Sequence, residues 1–381
     1  MAYAHAEITL CQSPKHDGPC GDHVSVQRTA AATTVVLADG IGSGLKANLA
    51  AILCATRLQE LMRCGFTLRQ AFGRMVKTMK GLRDPQLPFA AFCVARILPD
   101  GQFTVLSYEM PEPLLVYPRL ATVLSGRTLT LEQAVISESN GQLLSGEGIL
   151  LFSDGITQAG LGMGLRDGWT SQGVAEFLSS RLGPSLPLTE VPDAVHRQAR
   201  KLWRTAAGDD CTAVLISCRP GVTLNIMTGP PSNPANDQQV VDRFLQEEGW
   251  KVVCGATTAK IVARCIGRDV QVQEDDPSML APPRYQIEGI DLVTEGAVTL
   301  NQVYNVLDEA AENFEEDSGV TQLHQFLRLA DRVHVTLGVA VNPANQSIAF
   351  RQRGVLCRAK IMPLLSEKLQ AAGKLVVLEY A

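Results

Sequence analysis

Two apolar runs in this 381-residue chain each end in Asp-Gly: TTVVLADG closes at Asp39-Gly40 and GILLFSDG closes at Asp154-Gly155. A third run, DDCTAVLIS, opens on Asp209-Asp210. If such strands are antiparallel neighbours, the end of one and the start of the next share a sheet edge, and their carboxylates converge. Crowded carboxylates raise one another's pKa, so a cluster of this kind calls for a cation to neutralise it. The chain has six His, and none adjoins either Asp-Gly pair. An oxygen-rich shell suits Mg2+ or Mn2+ rather than Zn2+. Two such ions about 4 Å apart, held by one bridging carboxylate, bring a shared water close to hydroxide at neutral pH and suit hydrolysis of phosphate esters. Glycine after each Asp allows a sharp turn and a close backbone carbonyl. Asp-Gly alone is also the commonest tight-turn dipeptide, so the weight lies on three Asp motifs in this order at strand ends.

The elements that would carry these residues alternate strands with two blocks of helix. Strands are expected over Ala6–Cys11, His23–Thr29, Thr33–Ala38, Phe89–Leu98, Phe103–Glu109, Leu114–Tyr117, Ile149–Ser153 and Cys211–Ser217. Leu45, Leu49, Ile52 and Leu53, then Leu68, Phe72, Met75 and Met79, recur at helical spacing and read as the buried stripes of two helices. Gly65 ends the first of these, and Thr67 with Gln70 forms a capping box that opens the second. Another pair follows Thr170 and Pro192. Hairpin-forming strands interrupted by helix pairs predict an α+β fold, two packed antiparallel sheets flanked by helices.

A hydrophobic content of 46% provides a large core, and the length exceeds what one domain usually holds. The net charge of −5, with Lys and Arg scattered, gives no footprint for nucleic acid. No apolar run approaches a membrane span of about eighteen residues, the N-terminus has no signal-peptide pattern, and the ten cysteines include no CxxC pair. The expectation is a cytoplasmic protein with no membrane and no nucleic-acid partner. Cys11, His16, Cys20 and His23 are zinc-type ligands at a spacing that fits no common finger.

Gly21-Asp22, ADGIGSG at Ala38–Gly44, FSDGIT at Phe152–Thr157 and DDCTAVLI at Asp209–Ile216 together resemble the motif series of the SpoIIE-type metal-dependent protein phosphatases, a branch of the type 2C (PPM) serine/threonine phosphatases. The segment Tyr108–Tyr117 resembles the family's Gly-His-Pro-Pro strand turn but departs from it over Glu109–Pro113. The resemblance covers about residues 1–218 and implies an αββα sandwich. It implies that Asp39 bridges two cations, Mn2+ or Mg2+, with the Gly40 carbonyl and Asp22 on one of them. Asp154 and Asp209 would hold the other, with Asp210 as a nearby or additional acid, and the choice between Asp209 and Asp210 stays open. Catalysis would rest on Asp39 and Asp154, through direct attack of the metal-activated water on phosphoserine or phosphothreonine of a protein, such as an anti-anti-sigma-like regulator. No arginine is assignable as a phosphate clamp. The rival is a non-catalytic scaffold of the same fold that binds a phosphoprotein. GIGSGLK, Gly40–Lys46, lacks the full spacing of a nucleotide-binding P-loop.

Composition shifts at Arg219-Pro220-Gly221, and a Pro- and Asn-rich stretch follows at Gly229–Asn236. Beyond it the rhythm becomes strand then helix. Strands are expected over Val222–Met227, Lys251–Cys254, Ile290–Val293, Val333–Val341 and Leu375–Tyr380, and helices over Asp237–Glu248, Thr258–Arg264, Leu300–Glu312, Val320–Asp331 and Ala359–Ala372. Residues 221–381 are thus a second, α/β domain with a mostly parallel sheet. Loops after parallel strands gather at one end of the sheet. Gly229, Gly255, Thr257, Thr258, Thr294 and Glu295 are candidates there for a small-molecule ligand, against the plainer reading that they are turn and capping residues.

Overall fold

The computed structural model describes residues 3–81, 89–204, 208–273, 284–310, 318–340 and 354–381. The acidic stretch Glu274–Asp276, most of Asp308–Asp317, the end of the helix expected to Glu312 and the end of the strand expected to Val341 lie outside them. The described chain forms two compact units, 3–27 with 31–220, and 28–30 with 221–381.

The first unit runs β1 (Ala4–Ser13), β2 (Asp22–Arg28), β3 (Thr33–Gly40), α1 (Leu45–Arg63), α2 (Leu68–Gly81), β4 (Ala90–Ile97), β5 (Gln102–Tyr108), β6 (Leu114–Val116), β7 (Ala121–Val123), β8 (Arg127–Leu131), β9 (Ala134–Gln142), β10 (Gly148–Phe152), α3 (Asp154–Thr157), α4 (Thr170–Ser179), α5 (Val191–Trp203) and β11 (Cys211–Pro220). Two sheets form, in the orders β1-β11-β10-β6-β7 and β2-β3-β4-β5-β9-β8. Period-two alternation divides each strand between two cores. Val35 and Leu37, Ile149 and Leu151, and Val214 and Ile216 meet between the sheets. Val36 and Ala38 face the α1–α2 layer, and Leu150, Phe152, Ala213 and Leu215 face α4 and α5. This is the expected αββα sandwich, and each large apolar side chain so buried contributes roughly 1.5–3 kcal/mol.

Two sequence expectations for this unit fail, for identifiable reasons. Leu45, Leu49 and Leu53 do not form the buried stripe of α1; they are 63%, 49% and 60% exposed. The buried face is Ala47, Ala50, Ala51, Cys54, Ala55 and Leu58. The helix lies so close to the sheet end that a Cβ on Gly40 would come within 2.0 Å of the Ala47 carbonyl oxygen, so only small side chains fit beneath its first turns. Strands β7, β8 and β9 were not expected. The β8–β9 hairpin turns on Glu132 and Gln133, with φ of 49° and 61°, so the usual Asn-Gly signal is missing. The capping box forms as expected: the Thr67 N–H donates to Gln70 Oε1 at 3.0 Å.

The second unit runs β12 (Thr223–Thr228), α6 (Asp237–Gln246), β13 (Trp250–Cys254), α7 (Ala256–Ile266), β14 (Gln271–Gln273), β15 (Arg284–Gln286), β16 (Leu292–Thr294), α8 (Ala297–Val306), α9 (Gly319–Leu329), β17 (Arg332–Leu337), α10 (Arg358–Ala371) and β18 (Leu375–Tyr380). The sheet order is β14-β15-β16-β13-β12-β17-β18. The strands from β16 to β18 are parallel, and β14 and β15 add an antiparallel edge. Helices α6 and α7 pack on one face, and α8, α9 and α10 on the other. Among the described residues no helix is long and apolar enough to cross a membrane.

Candidate active site

The aspartates reach one end of the sandwich from both sheets. In the five-stranded sheet β10 and β11 are antiparallel neighbours with Phe152 opposite Ala213, so Asp154, just past β10, and Asp209-Asp210, just before β11, share an edge. Asp39 and Asp22 come from the other sheet, where β2 and β3 are neighbours and the Gly40 N–H donates to the Gly21 carbonyl at 3.2 Å. Asp39 has the strand parity of Val35 and Leu37, which places it on the face between the sheets. The simple shared-edge picture therefore holds within each sheet, and the stacking of the sheets does the rest.

Glycine is needed after each Asp for lack of a Cβ rather than for a left-handed turn, since neither Gly40 nor Gly155 has positive φ. A Cβ on Gly155 would stand 2.0 Å from the Asp210 carbonyl oxygen. Residues with no sequence signal hold this turn. Trp203 Nε1–H donates to the Gly155 carbonyl at 3.0 Å, and Gln158 Nε2–H donates to Asp154 Oδ2 at 2.7 Å. The Thr212 N–H donates to Ser153 Oγ at 3.0 Å, while Gln12 Nε2 donates to Thr212 Oγ1 at 3.0 Å and to the Asp22 carbonyl at 3.1 Å.

Asp209 and Asp210 are not equivalent. Asp210 is buried, and both its oxygens are taken: Oδ1 by the Lys15 N–H at 2.7 Å, Oδ2 by the Gly21 N–H at 2.9 Å. Asp209 is less buried and, among the described residues, accepts only from the Asp210 N–H, at 2.9 Å. Asp22 is 2% exposed, and neither of its carboxylate oxygens completes a hydrogen bond.

Burial and mutual repulsion shape the acidities. Burial first, then the charges of Asp22, Asp154, Asp209 and Asp210, push Asp39 from its ordinary 3.8 up to about 9. Burial also pushes Asp22 up to about 7, with the Thr212 and Ser153 hydroxyls opposing it and the charges of Asp210 and Asp154 adding to it. Asp154 is raised by burial and then by the charge of Asp209, with the neighbouring Asp39 carboxyl opposing the shift. A pair of orphaned buried oxygens amid mutually repelling carboxylates fits a divalent cation. Among the described residues, no three His, Cys, Asp or Glu side chains stand in a ready-made ligand set, either at the aspartates or at Cys11, His16, Cys20 and His23.

A family model described as stage II sporulation protein E (SpoIIE) matches residues 29–219, half of the chain. The chain belongs to the SpoIIE family. Its first unit has the PP2C-like phosphatase fold of that family. No curated protein matches the SpoIIE-family chain in sequence. Among solved structures it is similar to the RsbU and RsbW domains of Rv1364c from Mycobacterium tuberculosis, at 18% identity and a TM-score of 0.48, over 64% of this chain and 70% of that one. It is similar to the PP2C phosphatase domain with a regulatory fragment of SpoIIE from Bacillus subtilis, at 17% identity and a TM-score of 0.49, over 57% and 64%. RsbX, solved in complex with magnesium, aligns at 16% identity and a TM-score of 0.40, over 56% and 99%.

In the second unit of this SpoIIE-family chain, the candidate residues are largely engaged in the fold. Thr258 is buried and its Oγ1 accepts from the Gly229 N–H at 2.9 Å. The Gly255 N–H donates to the Thr294 carbonyl at 2.9 Å, and Glu295 Oε2 caps α8 by accepting from the Val298 N–H at 3.3 Å. Thr257 is exposed, so of the two hydroxyls expected at the α7 start only this one faces solvent.

Proposed function

We propose that the first unit is a divalent-cation-dependent protein phosphatase acting on phosphoserine or phosphothreonine of a bacterial regulatory protein. The observation that carries this is Asp22, whose two buried oxygens find no partner beside Asp39, Asp154 and Asp209. Asp39, Asp22 and the Gly40 carbonyl would hold one cation, and Asp39, Asp154 and Asp209 a second, with Mn2+ or Mg2+ suited to all-oxygen donors. When bound, such ions supply charge for the phosphoryl oxygens and acidify water. The chain's own residues do the rest. Asp210 anchors Lys15 and Gly21, and so fixes the entry to Asp22. Gln158 orients Asp154, and Trp203 fixes the Gly155 carbonyl.

The regulatory substrate, of the anti-anti-sigma kind, is proposed on family membership. For the second unit we propose small-molecule sensing or partner docking. The support is its strand order, which reverses direction between β12 and β17, the position where open parallel sheets receive ligands. Stabilisation of the chain by a nucleotide or metabolite in thermal-shift measurements, lost on Gly229→Val, tests it.

A non-catalytic phosphoprotein-binding role is favoured by one observation, the lack of a ready-made ligand set among the described residues. Hydrolysis of a phosphoserine peptide with and without Mn2+ separates the two. The phosphatase reading expects Mn2+-dependent turnover abolished by Asp39→Asn and by Asp154→Asn. Phosphopeptide binding without turnover would establish the scaffold instead.

A further inference from the structure

A cavity of about 410 Å³ opens on the helix-covered face of the six-stranded sheet, where α2 begins, and nothing in the proposed reaction uses it. Its polar wall is Arg69 on α2, Arg96 on β4, Thr104 on β5 and Asn140 on β9; Leu68 and Leu98 line the apolar side. We propose that this cavity binds a small organic phosphate, its phosphoryl group on Arg96 and its apolar body against Leu68 and Leu98.

The site is separate from the aspartates. Arg96 pairs with Thr34, whereas Asp39 pairs with Ala91 at the other end of the same two strands, five residues and about 17 Å away. Arg96 also shares the parity of Phe92 and Val94, which face the helices, while Asp39 faces the other sheet.

The cavity is built and positively charged. Glu138, 2% exposed, accepts from Arg69 Nε at 2.9 Å and Nη2 at 2.5 Å, from Arg127 Nη2 at 2.8 Å and from Asn140 Nδ2 at 2.9 Å. This buried carboxylate therefore locks Arg69 and Arg127 in place. Thr104 Oγ1–H donates to Asn140 Oδ1 at 2.8 Å, which fixes the amide. Arg96 is partly buried and makes no hydrogen bond or ion pair with any described residue. Asp100, on the β4–β5 turn, is taken up by the backbone and side-chain N–H groups of Gln102. Two guanidiniums are thus committed to one carboxylate, while a third, that of Arg96, lines the cavity without such a commitment. A guanidinium fork matches a phosphoryl group better than any other side chain does. The volume falls in the range of small-ligand sites, and an apolar wall with a few fixed polar groups is their usual make-up.

The test is calorimetric titration of the full chain, in EDTA, with phenylphosphonate, which carries a ring and a dianion and cannot be hydrolysed. One saturable site is expected, retained in Asp39→Asn and weakened about tenfold or more in Arg96→Gln. Arg96→Lys keeps the charge without the fork and should recover part of the affinity. Arg96 makes no bond with a described residue to lose, so the melting temperature of Arg96→Gln should match wild type. Absence of saturable binding to the wild type, or equal affinity in Arg96→Gln, overturns the proposal. Inorganic phosphate binding as tightly as phenylphosphonate would overturn the apolar part of it.

Discussion

The Gly21 N–H donates to Asp210 Oδ2 at 2.9 Å, across 189 residues of sequence. With the Lys15 N–H on Oδ1, this engages both oxygens of the Asp210 carboxylate and ties the approach to β2 to the foot of β11. Asp210 is therefore an anchor, which leaves Asp209 as the acid proposed to hold a cation. Asp210→Ala should lower stability by roughly 2 kcal/mol or more, since two charge-assisted bonds vanish and two backbone donors lose their acceptor. Asp209→Ala should leave the melting temperature near wild type in EDTA and weaken Mn2+ binding. The reverse pattern in thermal melts and Mn2+ titrations would exchange the two roles.

The acidities predict an unusual pH profile for the cation-free protein. Asp39 and Asp22 have folded-state pKa values raised from 3.8 to about 9 and about 7, so the folded state keeps protons that the unfolded chain has released. Their stabilising protonation is complete below about pH 4 and is lost as pH rises through those two values. Glu138 runs the other way. Hydrogen bonds from Arg69, above all, hold it down to about 2, so its contribution is present above its ordinary 4.5 and is lost as pH falls toward 2. Melting temperature in EDTA should fall between pH 5 and pH 9, and saturating Mn2+ should flatten that decline. A melting temperature that is flat or rising over this range in EDTA would contradict the cluster's electrostatics.

Trp203 is buried and reaches the Gly155 carbonyl with its indole N–H, while the Cys211 thiol approaches the same oxygen at 3.4 Å. Trp203→Phe should cost about 1–3 kcal/mol and lower kcat more than it raises KM, because Asp154 immediately precedes the glycine whose carbonyl the indole fixes. Equal turnover in this variant, measured on a phosphoserine peptide, would remove Trp203 from the positioning of Asp154.

The sandwich and the aspartates were legible because strands that alternate between two cores, and Asp-Gly pairs at their ends, are local patterns. Val35, Leu37 and Asp39 show this on one strand. What stayed hidden depends on contacts distant in sequence. The inward face of α1 is Ala and Cys from Ala47 to Ala55 because a glycine on β3 lets the helix backbone come close, and the Leu45, Leu49 and Leu53 period gave the opposite orientation. The β8–β9 hairpin escaped because Glu132 and Gln133 take positive φ without Gly or Asn. The roles of Trp203 and Asp210, and the bond from Gln12 to Thr212, depend on partners more than forty residues away, and no spacing rule reaches them.

Asp22, Asp39, Asp154 and Asp209 are proposed to form a divalent-cation site. Its most direct test is calorimetric titration of Mn2+ into the wild-type chain and into Asp39→Asn, at a pH near 8. Saturable Mn2+ binding to the wild type, lost or weakened at least about a hundredfold in Asp39→Asn, is the predicted result. Mn2+ binding of equal strength to both proteins, or to neither, would contradict it.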